Sequence, residues 1–238
     1  THRYSLAGDW AKSDAQGASK LSLYVVDYGL NLFSAPSGYI NGAQGDQHEQ
    51  ADERTVWGGQ ASRSWFLGPN WKYTELTAGL QLRHDRISSV GLYNTEDRRR
   101  TNTVREDRIN ETAIAAFFEA RTQWTTWLRT NLGLRRDQLR AQATPLGGQY
   151  NMDNGGSSDA GQTSPKFGVV FGPFNLLGQT EFYANWGHGF HSNDARGATA
   201  LTNPQDGSAA EAVPLIVKAK GSELGVRAAP LQGWNSSL

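Results

Sequence analysis

Apolar and polar side chains alternate along most of this chain with the two-residue period of a β-strand. From Leu76 to Asp85, leucine and alanine occupy one register, and glycine and polar residues occupy the other. Trp127 to Asp137 repeats the pattern, with Arg129 and Arg135 in the polar register. Such segments form strands with one apolar face and one polar face, so the sequence predicts an all-β protein.

The alternation predicts nine strands and the start of a tenth. Several of these segments are longer than about ten residues, which is the upper range for strands of a soluble sandwich. The predicted strands are Arg3 to Lys12, Ala18 to Phe33, His48 to Leu67, Tyr73 to Leu92, Val104 to Trp124, Trp127 to Ala143, Ser164 to Gly172, Thr180 to His191, Leu215 to Ala228, and a start at Asn235.

The predicted connections alternate between short turns and long polar loops. The short ones are Ser13 to Gly17, Gly68 to Lys72, Thr125 to Thr126, Pro173 to Gly178 and Pro230 to Trp234. The long ones are Ser34 to Gln47, Asn94 to Thr103, Thr144 to Thr163 and Ser192 to Pro214. Short periplasmic turns and long extracellular loops are typical of a transmembrane antiparallel up-and-down β-barrel in the bacterial outer membrane.

Tryptophan supports the same interpretation, because its ring prefers the membrane interface. Six of the 8 tryptophans lie beside the predicted short turns, which indicates a girdle at the periplasmic end: Trp10, Trp65, Trp71, Trp124, Trp127 and Trp234.

Composition excludes several other classes of protein. The sequence has no run of about 18 apolar residues, so no transmembrane helix is expected. Lys plus Arg equals Asp plus Glu at 23 each, which gives no basic field for nucleic acid. The absence of cysteine excludes disulfides, thiolate catalysis and cysteine-bound zinc.

No residue pattern predicts catalysis, a cofactor or a metal site. His188, His191 and Asp194 are close in sequence, but the two histidines lie in opposite registers, so a shared metal site would need a bend. Glu106 and Asp107 are adjacent and point to opposite faces of a strand, which is unsuitable for paired acid and base. We therefore expect no enzyme activity.

Four local patterns occur in order along the chain, each on a predicted strand. They are Gly133-Leu134-Arg135-Arg136-Asp137; Ser164-Pro165-Lys166-Phe167 running to Gly172-Pro173; Phe182-Tyr183-Ala184-Asn185-Trp186-Gly187 followed by Gly189 to Gly197; and Gly221-Ser222-Glu223-Leu224-Gly225-Val226-Arg227. Together they make the sequence resemble the barrels of TonB-dependent outer-membrane receptors.

This resemblance implies a barrel of about 22 strands that encloses a separate plug domain. Residues 1–238 would be part of one such β-barrel domain, an incomplete barrel of nine to ten strands, with the plug domain and the C-terminal strands outside this chain. The implied function is TonB-coupled active uptake of a nutrient such as an iron chelate. The implied partners are outer-membrane lipid, the plug, TonB and a small nutrient ligand; the alternative is a passive porin or a structural barrel.

The loop from Ser192 to Pro214 is the predicted ligand-facing segment. It opens at the end of a strand with five hydrogen-bonding side chains, and recognition is usually carried by loops on a rigid scaffold. The alternative is that Asn193 and Asp194 cap a turn and that Asp194 pairs with Arg196. The five candidates are His191, Ser192, Asn193, Asp194 and Arg196.

One basic cluster, Arg98-Arg99-Arg100 with Arg105 and Arg108, supplies two further ligand-facing candidates, Arg98 and Arg100. It could attract an anionic chelate or the phosphates of lipopolysaccharide. Glu96, Asp97, Glu106 and Asp107 interleave it, so a solvated loop with internally balanced charge is the alternative.

The apolar register also predicts which residues face lipid. Asn131 and Gln81 lie in the opposite register and are expected to face the lumen. The expected lipid-facing set is Leu128, Leu132, Leu134, Phe167, Val169, Phe171, Phe182, Trp186, Leu224 and Val226.

Overall fold

A computed structural model of the chain describes residues 1–42, 45–176, 178–231 and 234–237, and of Asn235 the backbone alone. The chain forms one sheet of ten antiparallel strands in which each strand pairs with its neighbours in sequence. The strands are β1 His2–Asp14, β2 Gly17–Ser34, β3 His48–Phe66, β4 Thr74–Glu96, β5 Arg99–Thr125, β6 Leu128–Gly147, β7 Gly156–Asn175, β8 Gln179–Ser192, β9 Ile216–Leu231 and β10 Trp234–Ser237.

The up-and-down order confirms the predicted topology, and the sheet is open, with β1 and β10 as its edges. It therefore forms part of a barrel wall rather than a closed barrel. The helical elements are 3₁₀ turns at Pro69–Trp71 and Met152–Asn154 and one short helix, α1, at Ala195–Ala198.

In the described part of the chain, no helix has the length and apolar character needed to cross a membrane.

The predicted long loop from Asn94 to Thr103 is wrong. β4 continues to Glu96 and β5 starts at Arg99, so only Asp97 and Arg98 form the turn. Both turn residues have positive φ, 46° and 61°, as expected for a tight hairpin turn whose twist matches that of the strands. Polar composition suggested a loop here, but the strands extend into water, where both faces tolerate polar side chains.

The predicted loop from Thr144 to Thr163 is also too long, because β6 ends at Gly147 and β7 begins at Gly156. Parts of three other predicted connections, residues 43–44, 177 and 232–233, lie outside the described residues.

The strand register confirms the predicted faces. Leu132 pairs with Phe167, which pairs with Trp186, so these three apolar side chains share one face of the sheet. Asn131 pairs with Gly168 on the opposite face. We call the face of Leu132 the outward face and the face of Asn131 the inward face.

On β6 the apolar register changes face partway along the strand. The outward face carries Leu132 and Leu134 and then becomes polar from Arg136 onward. The inward face is charged up to Asp137 and then becomes apolar at Leu139. β4 shows the same change: leucines give way outward to His84 and Arg86, and the inward face becomes apolar at Ile87. This shared change marks where the wall leaves the lipid.

Tryptophan side chains lie at both borders of the lipid band. Trp10, Trp65, Trp124 and Trp127 lie beside the short connections and are 41 to 54% exposed. At the other border, Trp57 contacts His84 with ring centroids 5.3 Å apart, and Trp186 contacts His188 at 4.9 Å. Two outward tryptophan–histidine pairs therefore mark the loop-side border of the membrane.

Candidate functional site

The inward face carries an arginine and an aspartate two positions apart on four successive strands, β3 to β6. Because side chains of a strand alternate, residues i and i+2 share a face and lie close enough for a long arginine to reach the carboxylate. The pairs are Arg54 with Asp52, Arg83 with Asp85 at 2.7 Å, Arg105 with Asp107 at 2.6 Å, and Arg135 with Asp137 at 2.8 Å.

The carboxylates of Asp85, Asp107 and Asp137 are buried and that of Asp52 is half-buried, whereas the four arginine side chains are 15 to 54% exposed. The Asp85 side chain is 5% exposed while that of Arg83 is 54% exposed. Arg135 also donates to Gln81 Oε1 at 3.0 Å, which links β6 to β4 across the intervening strand. A buried carboxylate without its arginine would raise the free energy of the folded state. The four pairs therefore hold the inward face of β3 to β6, which we call the charged wall, in one arrangement.

The loop between β8 and β9 folds onto the inward face where that face becomes apolar. Ala195 of α1 is fully buried, and Leu215 at the end of the loop is 4% exposed. Both pack in one cluster with Ile87, Ile109 and Ala141 of the wall. The loop therefore covers apolar surface that would otherwise face water, which favours its docked position.

Asn154, in the connection between β6 and β7, binds this loop through its side-chain amide and its backbone carbonyl. Its Oδ1 accepts from the backbone N–H groups of Leu201 at 2.8 Å and Thr202 at 2.9 Å. Its Nδ2 donates to the Thr202 carbonyl at 3.0 Å, and Thr199 Oγ1 donates to the Asn154 carbonyl at 2.8 Å. Asn154 is fully buried, so these bonds have no competing water.

Asn151 connects the same assembly to the charged wall. Its Nδ2 donates to Asp107 Oδ1 at 2.9 Å and to the carbonyl of Gly147 at 3.2 Å. Arg105, which pairs with Asp107, donates to the backbone carbonyl of Arg196 in α1 at 3.4 Å. The two connections and the wall therefore form one hydrogen-bonded unit, which we call the docked loop assembly.

A cleft remains between the start of the loop and the charged wall. Arg83, Asp85 and Glu111 line its wall side, and Ser192 and Asn193 line its loop side. Asn193 Nδ2 donates to the Pro214 carbonyl at 2.7 Å, which joins the two ends of the loop. Two of the predicted ligand-facing residues, Ser192 and Asn193, therefore line the same cleft as charged side chains of the wall. The sequence alone did not connect these two groups.

The other loop candidates lie beside this cleft. Asp194 caps α1 by accepting from the Arg196 backbone N–H at 2.8 Å, and it pairs with the Arg196 guanidinium at 2.7 Å. Burial raises the pKa of Asp194, but the hydrogen bonds and charge of Arg196 outweigh it, so this pKa lies below its usual value. His191 is exposed in the inward register. The alternative reading, a capped turn with an internal ion pair, is thus present in the structure.

The structure places Arg98 and Arg100 away from the other candidates. Arg100 pairs with Glu49 at 2.7 Å and covers the Tyr93 ring at 3.6 Å from its centroid. Glu49 also accepts a hydrogen bond from Asn31, which is in the outward register of β2. The pair therefore lies on the outward side of the wall, and the ligand role of these two arginines stays a prediction.

No group of three or more histidine, aspartate or glutamate side chains suited to a metal ion occurs among the described residues. His188 contacts Trp186 on the outward face, while His191 is in the inward register.

The sequence did not lead us to predict Asn151, Asn154 or the apolar surface on which the loop docks. That surface could have been predicted, because Ile87, Ile109 and Ala141 occupy the register that otherwise carries polar residues. The asparagines gave no such signal, since their partners are 44 to 48 positions away in the chain.

Comparisons with known proteins agree with this architecture. The family model described as "TonB dependent receptor-like, beta-barrel" matches residues 1–238. A search of curated protein sequences finds no match.

Solved structures of similar fold include "Copper transporter OprC", with a TM-score of 0.70, 14% identity and coverage of 94% of this chain and 36% of that one. The ferric yersiniabactin uptake receptor FyuA from Yersinia pestis has a TM-score of 0.66 and 14% identity, with coverage of 94% of this chain and 32% of that one. The closed form of the ferric-catecholate import receptor Fiu from E. coli K12 has a TM-score of 0.64 and 11% identity, with coverage of 94% of this chain and 38% of that one. The chain thus spans about a third of the length of each.

The buried Asn154 side chain predicts a measurable effect on the docked loop assembly. Asn154→Ala leaves the Leu201 and Thr202 amides without their acceptor, at a cost of about 1 to 3 kcal/mol, so amide exchange in residues 199–203 should quicken about 5- to 150-fold. Asn203→Ala is the matched control, because the Asn203 side chain only accepts from the nearby Gln205 amide in an exposed turn. Equal exchange in both variants would show that Asn154 does not hold the loop.

Proposed function

Because this chain belongs to the TonB-dependent receptor β-barrel family, we propose that it forms part of the wall of a receptor for active uptake of a scarce nutrient, such as an iron chelate. Members of this family lie in the outer membrane of bacteria, which confirms the predicted location. The lipid-facing register and the two tryptophan borders agree with that location.

The observation that carries the proposal is the docked loop assembly above a charged inward face. A receptor must hold its ligand at the outer end of the lumen, and the loop between β8 and β9 lies on the inward face there. The paired charges of Arg83 and Asp85 line the cleft beside it. These features provide polar contacts on a rigid scaffold, as recognition requires.

The names of the similar structures support a metal-bearing nutrient as the ligand class. They describe a copper transporter, a ferric-catecholate import receptor and a ferric yersiniabactin uptake receptor. Because sequence identity is 14% or less, this support concerns the class of ligand and not its identity.

The proposal includes partners beyond residues 1–238. A plug domain of the same protein would fill the lumen, and TonB would couple the plug to the inner-membrane proton gradient. Residues 1–238 would lie within one barrel domain, and the remaining strands would come from other parts of the protein. Neither the family match nor the similar structures favour a passive porin.

Within this chain we propose that the ligand meets His191, Ser192, Asn193, Asp194 and Arg196. Ser192 and Asn193 are supported by their place in the cleft. Asp194 and Arg196 form an ion pair with each other, so their role would be to position the loop rather than to bind a ligand through unpaired charges. Arg98 and Arg100 are weaker candidates, since Arg100 is paired with Glu49.

Energy coupling distinguishes a receptor from a porin. A strain that expresses the full-length protein should accumulate radiolabelled ferric chelate or copper from a test panel, and the uptake should disappear without TonB or after the proton gradient is collapsed. Accumulation that is unchanged in both conditions would indicate passive diffusion and contradict the proposal.

The loop is tested separately from the coupling. Deleting residues 198–212 should preserve membrane insertion and heat-stable mobility of the barrel, because each strand pair remains intact. Uptake should fall at limiting ligand concentration, since the loop contacts would be lost. A control that deletes Gly38 to Ile40, exposed residues of the connection between β2 and β3, should retain uptake. Equal uptake in both variants would exclude the loop from ligand capture.

A further inference from the structure

Glu111 lies between the wall and the docked loop without a basic partner. It is in the inward register of β5, where it pairs with Asp85 on β4 and with Ala141 on β6. It lines the cleft, and the backbone N–H of Ala195, the first residue of α1, interacts with its carboxylate. Glu111 is half-buried in this position, and release of the loop would expose it to water.

This glutamate lies beyond the lipid band. The outward register of β5 is apolar at Ile114 and Phe118. It becomes polar at Thr112 and Asn110, the two residues that flank Glu111 in sequence. The carboxyl group is therefore in the part of the wall that faces the external medium, and it can exchange protons with that medium when the loop opens.

The charged side chains around Glu111 are in ion pairs of their own. They come from β3 to β6 and from the loop: Asp52 with Arg54, Arg83 with Asp85, Arg105 with Asp107, Arg135 with Asp137, and Asp194 with Arg196. On β7 the inward register carries Ser158, Ala160 and Gln162, which have no charge. His191 ends β8 in the inward register and is a further titratable group. Among the residues that the structure describes, no basic side chain forms an ion pair with Glu111, so its negative charge lacks a partner.

The docked position disfavours the charged form of Glu111. Burial is the main cause, and the negative charges of Asp85 and Asp194 add to it, so the pKa of Glu111 lies above its usual value. The Ala195 N–H and the charge of Arg54 act in the opposite direction without cancelling the effect. Release of the loop would remove its cover and Asp194 together, and the pKa would return toward its usual value.

We propose that Glu111 makes docking of the loop between β8 and β9 depend on pH, so that the loop closes over the cleft in acid and loosens as the medium becomes neutral. With Glu111 protonated, docking buries no unpaired charge beneath α1. With Glu111 ionised, docking must bury a carboxylate beside Asp85 and Asp194. The proposal concerns the loop itself and is independent of which nutrient the protein takes up.

Proton binding at Glu111 and docking of the loop favour each other. A pKa that is raised in the docked state contributes docking stability that is complete below the usual pKa of a glutamate and is lost as the pH rises through the raised value. Asp194 has the opposite shift: burial raises its pKa, but Arg196 lowers it further, so its contribution is lost only below the usual pKa of an aspartate. Of these two carboxyl groups, Glu111 is therefore the one that titrates between about pH 4.5 and pH 7.5.

Hydrogen exchange of the full-length protein in detergent micelles measures docking of the loop. The amides of residues 199–203, two of which are bonded to Asn154 Oδ1, report on it as protection factors relative to an unstructured chain at each pH. Protection should fall about threefold or more between about pH 4.5 and pH 7.5. Protection that stays constant or rises over this range would overturn the proposal.

A pair of variants assigns the pH dependence to one carboxyl group. Glu111→Gln imitates the protonated carboxyl group and keeps its shape, so protection should stay at its acid value throughout the range. Glu211→Gln is the matched control, because Glu211 is exposed in the same loop, and this variant should retain the full fall. His191 is present in both variants, so its protonation cannot produce a difference between them. An equal fall in Glu111→Gln and Glu211→Gln would assign the pH dependence to another group and overturn the proposal.

Discussion

Every backbone N–H and C=O of a wall in lipid must find its partner within the protein, and this requirement governs the structure. Neighbouring strands satisfy it by pairing from β1 to β10, with long registers such as the pairs from Leu128 to Ala143 on β6. Antiparallel pairing between consecutive strands uses the shortest connections. The remaining features are consequences of which side chains each face then presents.

The apolar and the polar side chains change faces where the wall leaves the lipid. Within the membrane, leucine faces outward and paired charges such as Arg135 and Asp137 face inward. Beyond it, Arg136 and Arg140 face outward, and Leu139 and Ala141 face inward beneath the docked loop. The same period of two therefore produces a membrane wall at one end and, at the other, a seat for an extracellular loop and a basic outer surface.

Alternation was sufficient to predict the strands, their faces and their order, because each depends on neighbours along the chain. The ends of strands were harder: polar residues around Asp97 were interpreted as a loop, although a strand in water has no need of an apolar face. The docked loop assembly was not predictable, since Asn154 meets Thr202 across 48 positions and nothing in either local sequence identifies the other. The family resemblance was confirmed, while the ligand contacts stay proposals.

Site-specific labelling of the full-length protein in outer membranes tests most directly whether the apolar and polar faces change places along each strand. Single cysteines at Leu132, Asn131 and Gln142 sample the outward face in lipid, the inward face, and the outward face beyond the lipid. Leu132→Cys should react only with a lipid-phase reagent, whereas Asn131→Cys and Gln142→Cys should react with an aqueous maleimide. Aqueous labelling of Leu132→Cys with protection of Asn131→Cys would contradict the account, because a slip of one residue inverts every face.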